Sequence, residues 1–263
     1  MPPSVTPPSA NLLHLRGEID AIDAELHACL LRRAGLVAQI EAEKRVSAGR
    51  SAYRPVREAD MMRRIVERHR GPFPLAAAEH IFREIISSFI RLQAPFTVHL
   101  SDMTPELRDL ARFQFGALTP LVTHADASAA LSGIEARGAD LALVPLDAGL
   151  DVWWEKLGGA DGLNIVARVP FLVGLTALPQ AYVIARLPPE ASGDDRTLYA
   201  LTGAPSDTPD AMLGQLPATA RPLAARVAGG RHFVLASTPG FATTEPDFPV
   251  RRVGAYAVPL SVS

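Results

Sequence analysis

Residues Asn11–Arg45 read NLLHLRGEIDAIDAELHACLLRRAGLVAQIEAEKR. The run contains no proline, and its only glycines are Gly17 and Gly35. Steps of four and three residues pick out Leu12, Arg16, Ile19, Asp23, Leu26, Leu30, Arg33, Val37, Ile40 and Lys44. That spacing draws one stripe down one face and predicts a single long helix. Most of the stripe is apolar, as a core-facing stripe should be, and three of its members are cations. At the usual rise per residue the helix is about 50 Å long, longer than a small domain is wide. The stripe therefore predicts packing against a second copy of itself. Arg33 and Lys44 lie about 16 Å apart along the axis on the same face, close enough for two long side chains to converge on one small ligand. Arg16 is about 25 Å from Arg33 and cannot reach that ligand from the same chain, whereas the partner's Arg16 in an antiparallel dimer can. Taken singly, each cation also reads as a snorkelling side chain at a stripe edge. Three on one stripe weigh against that, since a charge on an apolar face is costly unless paired.

The whole chain bounds the reading. Its 263 residues suffice for two domains or one large one. Hydrophobic content of 48% and charged content of 21% are ordinary for a soluble globular protein. A net charge of −2 argues against a general nucleic-acid binder, so any cationic patch must be local. The lone Cys29 falls in the long helix and excludes an intrachain disulfide, which fits a reducing cytoplasm. The first ten residues, MPPSVTPPSA, carry neither the basic nor the apolar segment of a secretory signal and predict a disordered lead-in. No stretch approaches the ~18 apolar residues of a membrane span.

Past Lys44, the small residues of Val46–Ala52 predict a loop, and Pro55 suits the first turn of a second helix running to His69. Met61, Met62, Ile65 and Val66 are its apolar positions. Gly71–Pro74 breaks it. LAAAEHIFREIISSFIRLQ, Leu75–Gln93, predicts a third helix with Ala78, Phe82, Ile85, Phe89 and Leu92 on its inner face and Gln93 at the edge; Pro95 ends it. Composition then changes. Strands at Phe96–Leu100, Leu118–His124 and Ala139–Leu146 alternate with helices at Pro105–Gly116 and Ala127–Gly138, which predicts a mainly parallel α/β layer. Further strands are expected at Asn164–Val169, Gln180–Leu187, Arg196–Leu201 and Arg231–Ala236, and an irregular tail from Thr238. The fold class is thus α+β and multidomain: a lead-in over 1–10, an all-α domain over 11–95 and an α/β domain over 96–263.

LLHLRGEIDAIDAELHACLLRR, the lysine at Lys44, YRPVRE and IFREIISSFIRLQ resemble, in that order and spacing, the all-helical chorismate mutases. The resemblance covers roughly Leu12–Gln93. It implies an intertwined homodimer with shared sites, each completed by the partner's Arg16. It also implies chorismate as substrate and prephenate as product, in the biosynthesis of phenylalanine and tyrosine, with no cofactor and no metal. The rearrangement is intramolecular: the ether C–O bond breaks as a C–C bond forms, so the protein has to hold a compact conformer and stabilise negative charge on the ether oxygen. By the same resemblance Arg33 and the partner's Arg16 hold the two carboxylates, Lys44 and Gln93 donate to the ether oxygen, and Glu58 accepts from the ring hydroxyl. Arg57 stands in the pocket wall. Arg54 replaces an aspartate of many relatives, Phe89 a serine of some, and the loop between Lys44 and Arg57 is one residue longer than usual.

The order of the third helix, a short break and a strand resembles the bifunctional proteins that fuse this mutase to prephenate dehydratase. FTVHLSDMTPELRDLARFQFG, ADLALVPLDAG and QAYVIARLPPEASGDDRTLYAL carry that weaker likeness. Its expected glycine-rich loop is Ser101–Arg108 here, its Asn-Ser pair is replaced at Leu146–Ala148, and its Thr-Arg-Phe trio is Gln180–Tyr182. Expelling a hydroxyl needs a proton donor, so no dehydratase activity is expected. His124 and His232 read as structural or exposed, and Trp153–Trp154 as core. The alternatives to a mutase are an isochorismate-pyruvate lyase, or a non-catalytic chorismate-binding regulator of a shikimate-pathway enzyme.

Overall fold

The computed structural model describes residues 9–45, 52–134, 138–148, 151–158, 162–244, 246 and 250–262. They belong to two compact units, Met1–Arg50 and Ser51–Ser263.

The described residues of the first unit form one helix, α1 (Ala10–Arg45), of 36 residues. Ser9 Oγ accepts the backbone N–H of Leu12 at 3.3 Å and so satisfies one amide of the opening turn. The apolar stripe lies in solvent: Ile19 is 58%, Leu26 59% and Ile40 41% exposed. Each such side chain forgoes about 1.5–3 kcal/mol of burial. A helix with this face needs a partner surface.

The second unit begins with α2 (Pro55–Arg68) and α3 (Leu75–Gln93). Pro55 sits in the first turn of α2, where its missing N–H costs nothing. Ala94 leaves the helical region because Pro95 follows it. The inner face of α3 differs from the sequence expectation: Glu79, Arg83, Ile86 and Ile90 are buried with Ala78 and Phe89, while Leu92 is 68% exposed. The reason is tertiary, since α3 packs against α2 and against α4 (Pro105–Phe115).

The β-elements are β1 (Val98–Leu100), β2 (Leu121–Thr123), β3 (Leu141–Pro145), β4 (Asn164–Val169), β5 (Leu172–Val173), β6 (Ala181–Ala185) and β7 (Asp195–Gly203). They continue as β8 (Arg221–Ala228), β9 (Arg231–Pro239), β10 (Val250–Ala257) and β11 (Leu260–Ser261). Helices α5 (Ala127–Gly133) and α6 (Pro209–Leu213) complete the fold. Nine strands form one sheet in the order β2-β1-β3-β6-β4-β10-β7-β9-β8; β5 and β11 pair separately. Within the nine-stranded sheet β2, β1 and β3 make a parallel block, β4 also runs parallel to β10, and the other described pairs are antiparallel; the separate β5–β11 pair is parallel. The sheet is therefore mixed rather than mainly parallel: past β3 the strands pair as β3–β6, β6–β4, β10–β7, β7–β9 and β9–β8, antiparallel neighbours that need no helical crossover.

Alternation along the strands divides the core. Leu141, Leu143 and Val183 face a cluster built on Met62, Ile86, Leu107 and Phe115. Ala142, Val144, Tyr182 and Ile184 face a second cluster around Trp153 and Trp154. So α2, α3 and α4 cover one face of the sheet, and α5 with the turn at Trp153–Lys156 covers the other. The region past Thr238, expected to be irregular, supplies β10 at the heart of the sheet. Its alternation is broken by a register shift between Arg252 and Gly254. β8 carries little local strand signal because its RPLAARVA is alanine-rich and has a proline, Pro222, at its second position.

Candidate functional site

Arg16 is exposed and Arg33 half-buried on α1, and Lys44 occupies that helix's last turn. The side chain of Lys44 and the loop residues 46–51 lie outside the described residues. Along α1 the three cations keep the four-three register of the stripe.

Arg54, Arg57, Glu58 and Gln93 belong to the second unit. Arg54 precedes α2 and pairs with Glu190, Nη1 to Oε1 at 3.3 Å, both partly exposed. Arg57 and Glu58 are adjacent, so they point about 100° apart on α2: Arg57 is exposed and Glu58 buried. Gln93 is half-buried, and its Nε2 donates to the Phe89 carbonyl at 3.0 Å, one turn back. Phe89 itself is buried.

Glu58 anchors a cluster. Arg83 Nη1 donates to Glu58 Oε2 at 2.9 Å, and Arg83 Nε lies 3.9 Å from Glu79 Oε1, four residues earlier on α3. Glu58 Oε1 has no hydrogen-bond partner among the described residues. One guanidinium thus serves two carboxylates, all three buried. Burial pushes the Glu58 and Glu79 carboxyls up to about 7, against the opposing pull of Arg83. The Tyr53 hydroxyl beside them is raised well above its ordinary value by burial and then by Glu58. A small cleft here is lined by Tyr53, Glu58, Arg83, Gln114 and Arg168. Glu79 and Arg83 were not singled out from sequence. The signal was an acid and a base at i,i+4 on α3, a spacing at which two side chains meet.

His124 Nε2 lies 2.9 Å from His99 Nδ1, and His232 is half-buried on β9. Trp153 and Trp154 are core residues, 2% and 1% exposed. Gln180 accepts from Arg168 Nε at 3.0 Å, and Tyr182 is buried on β6.

Residues 15–94 match the family model described as chorismate mutase type II. The likeness to chorismate mutases is thus carried by the helical part of the chain. More particularly, the chain is similar to the "Bifunctional chorismate mutase/prephenate dehydratase" of Neisseria gonorrhoeae, 29% identical over 137 residues, covering 52% of this chain and 37% of that protein. The protein of the same description from Aquifex aeolicus is 31% identical over 144 residues, covering 52% and 39%. The chain therefore spans under two-fifths of the length of these curated relatives. Among solved structures, "GqqA- a novel type of quorum quenching acylases" is 13% identical with a TM-score of 0.45, over 62% of this chain and 95% of that one.

Proposed function

We propose that the chain is a homodimeric chorismate mutase of the cytoplasm whose sites are shared between two copies, and that its 96–263 region lacks dehydratase activity. The match of residues 15–94 to the chorismate mutase type II model, with cations at Arg16, Arg33 and Lys44 in stripe register, is the observation that carries this reading. The exposed apolar face of α1 supports the dimer, because only a long complementary surface buries so extended a stripe.

In the assembled site Arg33 and the partner's Arg16 clamp the two carboxylates of chorismate, where forked guanidinium groups suit planar anions. Lys44 and Gln93 donate to the ether oxygen as negative charge builds there. The Gln93 amide donor is at present engaged by the Phe89 carbonyl, so it turns or shares that bond to serve substrate. Arg57, exposed on α2, lines the wall and balances charge. Glu58 accepts from the ring hydroxyl through its unpartnered Oε1 while Arg83 fixes its other oxygen. Arg54, held by Glu190, borders the site. No proton transfer and no nucleophile are needed, and the domain limits 11–95 and 96–263 describe the two functional parts.

Chromatographic separation at neutral pH with mass detection, on the full chain supplied with chorismate and separately with isochorismate, tests this. Prephenate, an isomer of the substrate, is the expected sole product. Phenylpyruvate would refute the loss of dehydratase activity, salicylate from isochorismate would favour a lyase, and binding of chorismate without turnover would favour a regulator.

A further inference from the structure

Two histidines meet on the parallel block of the sheet, and the mutase reading uses neither. In the β1–β2 register His99 stands opposite Val122, and His124 follows Val122 by two residues on the same face. Neighbours on that diagonal are within reach of long side chains. His99 Nδ1 and His124 Nε2 lie 2.9 Å apart. His99 is buried and His124 half-buried, so the pair sits at the edge of the core.

A carboxylate sets which nitrogen of His99 carries the proton. Asp140 Oδ2 lies 3.6 Å from His99 Nε2, and Asp140 Oδ1 accepts the backbone N–H of Thr97 at 2.7 Å. The charge is thereby held beside the ring, at a distance where its pull is electrostatic rather than a hydrogen bond. It favours the tautomer with the proton on Nε2, and Nδ1 then turns a lone pair toward His124. A carboxylate behind the far nitrogen is the arrangement that orients an imidazole for a metal ion.

Gly133 supplies an independent pointer. It is the last residue of α5 and is helical, so its backbone does not call for glycine. A Cβ there would fall 2.5 Å from His99 Nδ1 and 3.1 Å from His124 Cε1. The missing side chain thus keeps space beside the very nitrogen that offers its lone pair. The spacing narrows the choice of ion. Two metal–nitrogen bonds of about 2.0–2.1 Å at a right angle set their nitrogens about 2.9 Å apart, against about 3.3 Å at the tetrahedral angle. The observed 2.9 Å matches the right angle, which copper(II) and nickel(II) prefer with nitrogen ligands. Among the described residues no three His, Cys, Asp or Glu side chains are grouped to hold a metal, so water takes the remaining positions.

We propose that His99 and His124 form a two-histidine chelate for a divalent late transition metal, copper(II) or nickel(II), with Asp140 orienting His99 from behind. The metal replaces the hydrogen bond between Nδ1 and Nε2. A turn of the half-buried His124 ring aims both lone pairs at one point, and His124 then carries its proton on Nδ1. Titration of the full chain with copper(II) chloride, followed by calorimetry and electron paramagnetic resonance, tests it. One tight copper per chain with a two-nitrogen hyperfine pattern is expected. His124→Gln should weaken that copper at least about tenfold and remove one nitrogen from the pattern, with far-UV circular dichroism unchanged. Asp140→Asn keeps an oxygen for the Thr97 N–H and should weaken copper about tenfold while both nitrogens stay in the pattern. His232→Gln, which removes a histidine elsewhere, should leave the tight site intact. A wild-type spectrum without a nitrogen pair, tight binding that survives His124→Gln, or an equal loss in His232→Gln overturns the proposal.

Discussion

Arg83 and Glu58 form an ion pair 2.9 Å long whose side chains are only 2% and 9% exposed. It ties α3 to α2 in the middle of a buried surface, and Glu79, fully buried, brings a second carboxylate to the same guanidinium. Burial raises both carboxyls to about 7, and the single Arg83 charge that they share only partly offsets it.

Stability should therefore vary with pH in an unusual direction. Both carboxyls hold a proton more tightly in the folded chain than in the unfolded one, where the ordinary value is 4.5. Between that value and about 7 the folded chain binds more protons, so stability falls as pH rises through the window. From pH 5.5 to 8 the loss attributable to Glu79 should be on the order of 1–3 kcal/mol. Denaturant melts of wild type and Glu79→Gln measure it as a difference. A wild-type advantage that grows toward pH 8 would contradict the account.

Removing the cation tests the same cluster from the other side. Arg83→Met leaves two buried carboxyls without a counter-ion and should cost about 3–5 kcal/mol at pH 8. At pH 5.5, where both carboxyls are protonated, the cost should shrink markedly. An equal loss at both pH values would mean that Arg83 acts by packing alone.

Gln93 is a neutral donor, and wild-type kcat should change little from about pH 6 to 8 on its account. A glutamate there would have to stay protonated to donate. The ratio of Gln93→Glu to wild-type activity, which cancels any titration of Glu58, should fall about tenfold per pH unit across that range. A flat ratio would remove Gln93 from the ether oxygen.

Gly254 marks where β10 comes closest to β4. Its φ of +151° belongs to glycine, and a Cβ there would overlap the backbone of Ile165. Gly254→Ala should destabilise the second unit by more than about 2 kcal/mol. A loss under about 0.5 kcal/mol would mean that the register shift relaxes freely.

What the sequence disclosed followed from periodicity and punctuation. The stripe of α1, the limits of α3 at Pro74 and Ala94, and the first three strands each carry a local signal that tertiary contacts leave alone. The inner face of α3 was misjudged because Glu79 and Arg83 look like surface residues until a partner for each is known. The topology past β3 was hidden for a related reason. β10 pairs with β7 in antiparallel register and with β4 in parallel, and nothing within the strand's own residues names either neighbour. Of the site, the cations on α1 were legible as a register, while the state of Glu58 depended on Arg83, twenty-five positions away.

The central claim is a mutase site built from two chains, and complementation tests it most directly. Arg16→Ala and Arg33→Ala should each abolish prephenate formation. In a mixed dimer one site regains both arginines and the other lacks both. An equimolar, fully exchanged mixture should then recover about one quarter of wild-type activity, half the dimers being mixed and half their sites intact. A mixture as inactive as its components would contradict a shared site.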